Sequence, residues 1–527
     1  MTLPRTRLLL ALALALLAWP AQAAAIDKVG AAKIKSLVEN FIQEQKKLAE
    51  IDGVTKIEYQ GEVMVEEAGD FYAVTLPYTK LINARNEQID LGMISINASP
   101  ADTPGQWKMR VAIPTPVVVT DKTGAEIMRV TIAGQRAAGI WDETLQSFVK
   151  LDAQYKDMLF AGREGNIKLP ETRVIYDFTK DAAGKWSGPG SITFKNLDAS
   201  GPHKDTMKIA DAKITFAIDK YDSSAIRLYR EKLAALGESL TGGAAKGQPS
   251  SAHAAAVANM MTDFLTGAGN GIQLRYDVTG LNLTKTDVAG VTRNLALPKG
   301  FLGLELGGFN SGKVRLALKG GHEGLKITPA TEQQGLTPTE SNIDIVIENI
   351  PVREIADLGK NTFDSAAQRP EMGKLAGLSL LIKLPALLSQ AGTFMTVTDT
   401  RMGNADIDIK LDGRARADIS AVNSATMDSK ATIRGLDTLL ARMKEKQKTA
   451  TPAEQQKIAA TIARLEQIKK NARVEKTADG QTLHVLELIM NPQGQLLLNG
   501  KDALGSNAAP VPGIEKPSPV PAPAPAP

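Results

Sequence analysis

Residues 405–421 read ADIDIKLDGRARADISA. The odd positions include Ile407, Ile409, Leu411, Gly413, Ala415, Ala417, Ile419 and Ala421, and the even positions are Asp406, Asp408, Lys410, Asp412, Arg414, Arg416, Asp418 and Ser420. Successive side chains on a β-strand point to opposite faces, so this alternation gives one apolar or small face and one polar face. The expectation is a single half-buried strand through the whole stretch, about 55 Å long at about 3.3 Å per residue. Asp412-Gly413 is a hairpin dipeptide. A two-residue turn there would pair Leu411 with Arg414 and Ile409 with Arg416, mixing apolar and charged side chains on one face. A continuous strand avoids this, with Gly413 marking a bend or a close approach. A longer or bulged turn is the alternative.

Outward from this strand, one motif is met three times, in residues 214–236, 343–359 and 431–443. Each reads as a strand, a short polar turn and an amphipathic helix, a loose internal repeat. Residues 271–284 form a further strand. Ile272, Leu274, Tyr276 and Val278 share one phase, Leu281 and Leu283 the other, and the slip falls at Gly280, a natural bulge site. Residues 314–319 and 343–349 are further strands. Residues 360–390 are mainly helical and contain LAGLSLLIKLPALL, while 452–470 form a charged amphipathic helix. Residues 482–490 and 495–499 close the sheet.

Upstream, residues 28–50 carry Val29, Ile34, Leu37, Val38, Phe41, Ile42 and Leu48 at helical spacing. From 55 to 196 the pattern is short alternating strands between turn signals, an antiparallel meander with one side facing water. Residues 244–251 are a linker, 253–265 a short helix, and 508–527 a Pro/Ala-rich tail with no core to join.

The first residues have the form of a secretory signal. Arg5 and Arg7 precede an apolar run from Leu8 to Ala18, and Ala21-Gln22-Ala23 is a small-x-small cleavage site. Removing that segment lowers the formal charge from +4 to +2, a balance that implies no nucleic-acid partner. The chain has no Cys, which excludes disulfides, thiolate metal sites, thiol catalysis and a lipoprotein anchor. A signal without Cys fits the periplasm of a Gram-negative bacterium. The expected organisation is a signal peptide (1–23), an N-terminal helix (24–52), a β-meander (53–200), a repeated strand-turn-helix region (201–504) and a disordered tail (505–527).

Catalytic signals are poor. Ser147-x-x-Lys150 and Lys122-Thr123-Gly124 match two penicillin-binding elements in reversed order, without the Ser-Asp-Asn element. Gly267-Ala268-Gly269-Asn270-Gly271 follows a helix rather than a strand, so it reads as a helix cap and turn. His203, His253, His322 and His484 share no metal-ligand spacing and read as surface or edge residues. Asp406, Asp408 and Asp412 lack the Gly and Glu of a calcium loop and read as a salt-bridged solvent face. The apolar stretch 375–388 reads as a buried helix kinked at Pro385, with a lid or membrane-contacting helix as the alternative.

The alternating strand, the turn and the strand closing on Ile433-Arg434-Gly435-Leu436-Asp437 before a helix resemble uncharacterised proteobacterial envelope proteins. These are the YdgA-like and AsmA-like proteins and an alphaproteobacterial family of unknown function. Gln495-Leu496-Leu497-Leu498-Asn499-Gly500-Lys501 is similar to the C-terminal end of YdgA-like domains. The likeness covers residues 205–502 in pattern. It implies an elongated β-rich periplasmic fold with a role in envelope maintenance or lipid handling, and it supplies no catalytic residues. Those families usually keep an N-terminal anchor, where this chain has a cleavable signal.

The expected fold is α+β: an elongated, curved, mainly antiparallel sheet with amphipathic helices packed on one face. The expected function is non-enzymatic and without cofactor. A lipid or other hydrophobic ligand would lie along an apolar sheet face formed by Ile407, Ile409, Leu411 and Ile419 with Leu380, Leu381 and Leu384. The expected partners are lipid or a membrane surface. The alternative is a structural module that binds another envelope protein.

Overall fold

Alternation repeated along a chain with short polar turns builds a meander, because each antiparallel neighbour can be reached by a tight connection. The computed structural model describes residues 26–52, 55–201, 205–225, 267, 269–287, 290–329, 337–368 and 373–503. The signal segment, the linker at 244–251, the helix at 253–265 and the Pro/Ala tail lie outside the described residues. The molecule is broadly α+β and mainly β, a single elongated open antiparallel sheet.

Its long run comprises β1 (Glu126–Asp142), β2 (Ser147–Gly162), β3 (Gly165–Asp177), β4 (Trp186–Ser200), β5 (Thr206–Tyr221), β6 (Gly271–Thr286), β7 (Thr292–Gly307), β8 (Lys313–Glu323), β9 (Glu340–Pro351), β10 (Phe394–Gly403), β11 (Asp408–Ala417), β12 (Ala425–Arg434) and β13 (Thr482–Met490). Each pairs antiparallel with the next. Shorter strands between Thr55 and Thr120 join this run through β1. Helix α1 (Lys28–Asp52) precedes the sheet, α2 (Val352–Gln368) and α3 (Gly373–Ala391) lie between β9 and β10, and α4 (Leu436–Thr449) and α5 (Pro452–Asn471) lie between β12 and β13. Two of the three expected strand-to-helix units are thus present, β9 to α2 and β12 to α4. In the third, β5 is present, and residues 226–236 lie outside the described residues.

The strand at 405–421 runs unbroken through Asp412-Gly413, and no hairpin forms there. Gly413 is paired on both sides, with Val397 on β10 and Ser429 on β12. A Cβ on Gly413 would meet Ser429 Cβ at 2.7 Å, so this glycine marks a close approach between strands. The strand is shorter than expected, Asp408–Ala417 only. Polar side chains take the backbone away from the ladder at both ends. Asn404 Oδ1 accepts the N–H groups of Asp406 and Ile407 (2.9 and 3.0 Å), and Asp418 Oδ1 accepts that of Ser420 (2.9 Å).

The phase slip read at Gly280 belongs to a larger feature. Ladder pairing is interrupted at Ala133, Asp157, Pro170, Asn196, Ala210, Gly280 and Pro298, one position on each of β1 to β7. Asp157 (φ 49°), Asn196 (φ 53°) and Gly280 (φ 65°) occupy alternate strands with positive φ, and each faces only Ala or Pro. Proline has no N–H to donate, so it loses nothing opposite a broken pair. The apolar phase changes along this seam. On β3 it passes from Ile167 and Leu169 to Val174 and Tyr176, and on β7 from Leu295 and Leu297 to Leu302, Leu304 and Leu306.

Two helical cores sit toward the ends of the sheet. Ile34 and Ile42 of α1 are buried with Tyr72, Val74 and Trp107. Leu436 and Leu440 of α4 and Ile462 of α5 are buried on Ile433, with Ile407, Ile409 and Leu486 beside them. Replacing Gly413 by Ala should destabilise the fold by about 1–3 kcal/mol through overpacking against β12. Gly307→Ala, where nothing lies within 4 Å of the new Cβ, should be neutral or slightly stabilising. Denaturant melts of the two variants compare them directly.

Candidate hydrophobic binding face

Strand register places side chains in rows across the sheet. One row runs Phe216, Leu274, Leu304, Leu318, Ile345 and Val397 across β5 to β10. The next runs Ile218, Ile272, Leu306, Leu316, Ile347 and Met395 across the same strands. Neither row contains a polar side chain. The intervening positions point the other way and carry ion pairs between neighbouring strands. Arg315 meets Glu305 (2.5 Å) and Glu348 (3.4 Å), and Lys319 meets Asp344 (3.1 Å). Arg173 and Arg136 both meet Asp152. The sheet is therefore amphipathic across its width.

Helices cover the apolar face toward its two ends. At one, Phe41 of α1 stands edge-on to Trp141 of β1 at 5.4 Å between ring centroids. At the other, α4 and α5 lie on Ile409, Ile433 and Leu486. Between them the face is open on β6 to β8. Leu302 is 52% exposed, Ile272 and Tyr276 47%, Leu318 40% and Leu304 39%. Leu302 pairs with Tyr276, and Leu304 with both Leu274 and Leu318, so these residues form one contiguous patch. A patch of this kind on an otherwise solvated protein marks an interaction surface.

The charged face carries a depression of about 510 Å³ whose lining includes Lys213, Arg275, Gly303, Glu305 and Lys319. Arg275 is engaged with Asp277 (2.7 Å), and Lys319 and Glu305 hold the partners above. Arg275, Glu305 and Lys319 are thus each already paired with an opposite charge. Among the described residues, no group of three or more His, Asp or Glu could hold a metal ion.

The residues expected to line a ligand groove are not brought together. Ile407 and Ile409 are partly buried and pack against the core beneath α4 and α5. Leu411, on the same face one pair farther along, is 37% exposed. Ile419 lies in the turn after β11 and is 54% exposed. Leu381 stands out from α3 at 70% exposure, Leu384 is half-buried, and the side chain of Leu380 lies outside the described residues. The stretch 375–388 is thus not a wholly buried helix: Leu378 and Ile382 are exposed as well, while residues 384–388 are half-buried.

Sequence reading missed β7. Residues 301–306, FLGLEL, alternate Leu with Phe, Gly and Glu, and the phase emerges only when the partner strands are aligned with it.

Two polar residues are also placed otherwise than expected. His484 is no edge residue: it is 1% exposed, because β13 is flanked there by β12 and by the strand Arg473–Lys476. Asp408 begins the polar face of β11 yet is 9% exposed, held by Arg401 (2.6 Å) and Arg434 (3.3 Å). The ion pairing was legible, whereas the burial was not.

Three comparisons bear on identity: no family model matches this chain, and no curated protein or solved structure does.

One charged group ties the two helices of the C-terminal core. Lys469 of α5 donates to Asp437 of α4 at 2.5 Å, and His484 Nε2 stands 3.8 Å from the same carboxylate. The Lys469 hydrogen bond is the main cause holding the Asp437 carboxyl below its usual range, with the charges of Lys469, His484 and Lys476 adding to it. A carboxyl lowered in the folded state stabilises the fold fully above the ordinary Asp value of about 3.9. That contribution is lost as pH falls through the lower folded value. Protection of the α4 and α5 amides against hydrogen exchange, corrected for the intrinsic rate at each pH, should therefore fall on acidification below about pH 4. Asp437→Asn should remove most of that dependence.

Proposed function

We propose that this chain is a non-enzymatic periplasmic protein that holds a lipid or another hydrophobic ligand against the open apolar face of β6 to β8. The observation that carries this reading is the patch of Ile272, Tyr276, Leu302, Leu304 and Leu318, which lie in register on adjacent strands and stand 39–52% exposed. Burial of apolar surface yields roughly 25 cal/mol per Å². An aliphatic chain laid across these strands would therefore be bound without chemistry, by exclusion of water alone. The paired ions of the opposite face offer no comparable gain, because exposed ion pairs contribute only about 0–1 kcal/mol each. The signal-like pattern of residues 1–23 supports the periplasm as the site of action.

Native mass spectrometry of protein purified from cells should show co-purifying lipid. A fluorescent fatty acid should bind, and Leu302→Glu with Leu304→Glu should weaken it by roughly tenfold or more, the equivalent of about 1.4 kcal/mol. Because both leucines are already substantially exposed, thermal stability should change little. Unchanged affinity in a folded double variant would sink the reading. A ligand-free protein that instead pairs stably with an envelope protein through the same face would favour an interaction module.

A further inference from the structure

Away from the open face, a second group of large apolar side chains stands in solvent. On α3, Leu378 is 53% exposed, Leu381 70% and Ile382 67%. In the turn between β11 and β12, Ile419 is 54% exposed and Val422 74%. The two segments are joined. Ser389 Oγ of α3 accepts the N–H of Ile419 at 3.0 Å, and the Thr393 carbonyl accepts that of Ala417 at 3.0 Å. At about 1.5 Å rise per residue, Leu378 lies only about 17 Å along the helix from Ser389. Val422 is fixed in place by its N–H to the Pro492 carbonyl, 2.9 Å.

The charges of α3 itself are one-sided. The α3 sequence contains Lys374 and Lys383 and no Asp or Glu. Lys383 is exposed beside Ile382, and Arg416 is exposed at the end of β11. The neighbouring Asp418 accepts from Ser420 N–H and Oγ, and the charge of Arg416 acts on its carboxylate. Exposed aliphatics on a helix whose own charges are all basic suit an interface of acyl chains below anionic headgroups, with the lysine stem reaching back to the headgroup level. Among the described residues, no helix is long and apolar enough to cross a membrane.

We propose that α3 and the 418–424 turn form a docking surface for an anionic lipid bilayer. The apolar residues enter the headgroup boundary, and Lys383 engages the phosphates. This surface is separate from the open face of β6 to β8, and its action does not depend on what that face holds.

The test is flotation of the full chain with vesicles of phosphatidylglycerol and phosphatidylethanolamine, compared with phosphatidylcholine alone. Binding is expected to the anionic vesicles, with roughly tenfold weaker binding to the neutral ones. Leu381→Glu with Ile382→Glu, and separately Val422→Asp, should each reduce binding by roughly tenfold without lowering thermal stability, since these side chains contact solvent. Lys383→Glu should erase much of the preference for anionic lipid. Leu304→Glu should leave flotation intact while weakening the fatty-acid probe, which separates failure of this surface from failure of the ligand face. Absence of wild-type flotation, or full flotation of both apolar variants, would overturn the proposal. So would a concentration-dependent dimer that Leu381→Glu dissociates in the absence of vesicle binding.

Discussion

A sheet many strands wide has to keep most of its large aliphatic side chains on one side, and this single constraint organises the molecule. The side-chain period of a strand is two, so a slip of one residue would carry a whole strand's leucines onto the charged face. The cost would be compounded by the cross-strand ion pairs, which would lose their partners at the same time. The rows from Phe216 to Val397 and from Ile218 to Met395 show the constraint met across six consecutive strands. The ion pairs of Arg315 and Lys319 are its mirror on the other face.

Strands of 16 residues, such as β6 and β7, are far longer than the usual five or six. Twist accumulates along them. The seam is where this chain relieves the regular ladder. A residue with positive φ rotates the backbone locally, and its partners on both sides must tolerate a missing pair. Asp157, Asn196 and Gly280 supply the first property, and Ala133, Pro170, Ala210 and Pro298 the second. Asn, Asp and Gly are the residue types that reach positive φ most readily. At Gly280 the fit is also steric, since a Cβ would stand 2.8 Å from that of Ala210.

Most of the strands, the described helices and the phase slip at Gly280 were legible in the sequence because each is a local pattern, whereas β7 and β10 were not read. Residues 482–490 and the continuity of β11 through Gly413 followed from alternation alone. The ends of β11 were not legible, since alternation continues through residues that Asn404 and Asp418 draw into turns. The open face was not legible either. Ile407 and Ile409 have the same pattern as Leu302 and Leu304, and only the placement of α4 and α5 separates a core residue from an exposed one. Burial of His484 likewise depends on strands and helices that meet only in three dimensions.

The outermost strands sharpen the meaning of the open face. An open sheet invites pairing by other chains at its edges. Here the strand Thr55–Gln60 carries the Lys56–Glu58 pair, and Arg473–Lys476 carries Arg473 between Glu475 and Glu487. Charges of this kind discourage strand addition. The face has no such protection on β6 to β8, although replacing Leu302 or Leu318 by a polar residue would cost little in a solvent-exposed position. A chain that guards its edges with charge and leaves five large apolar side chains in register on its face places its exposed hydrophobic area where a flat or extended apolar partner can lie. It withholds that area from the backbone pairing that would turn association into aggregation.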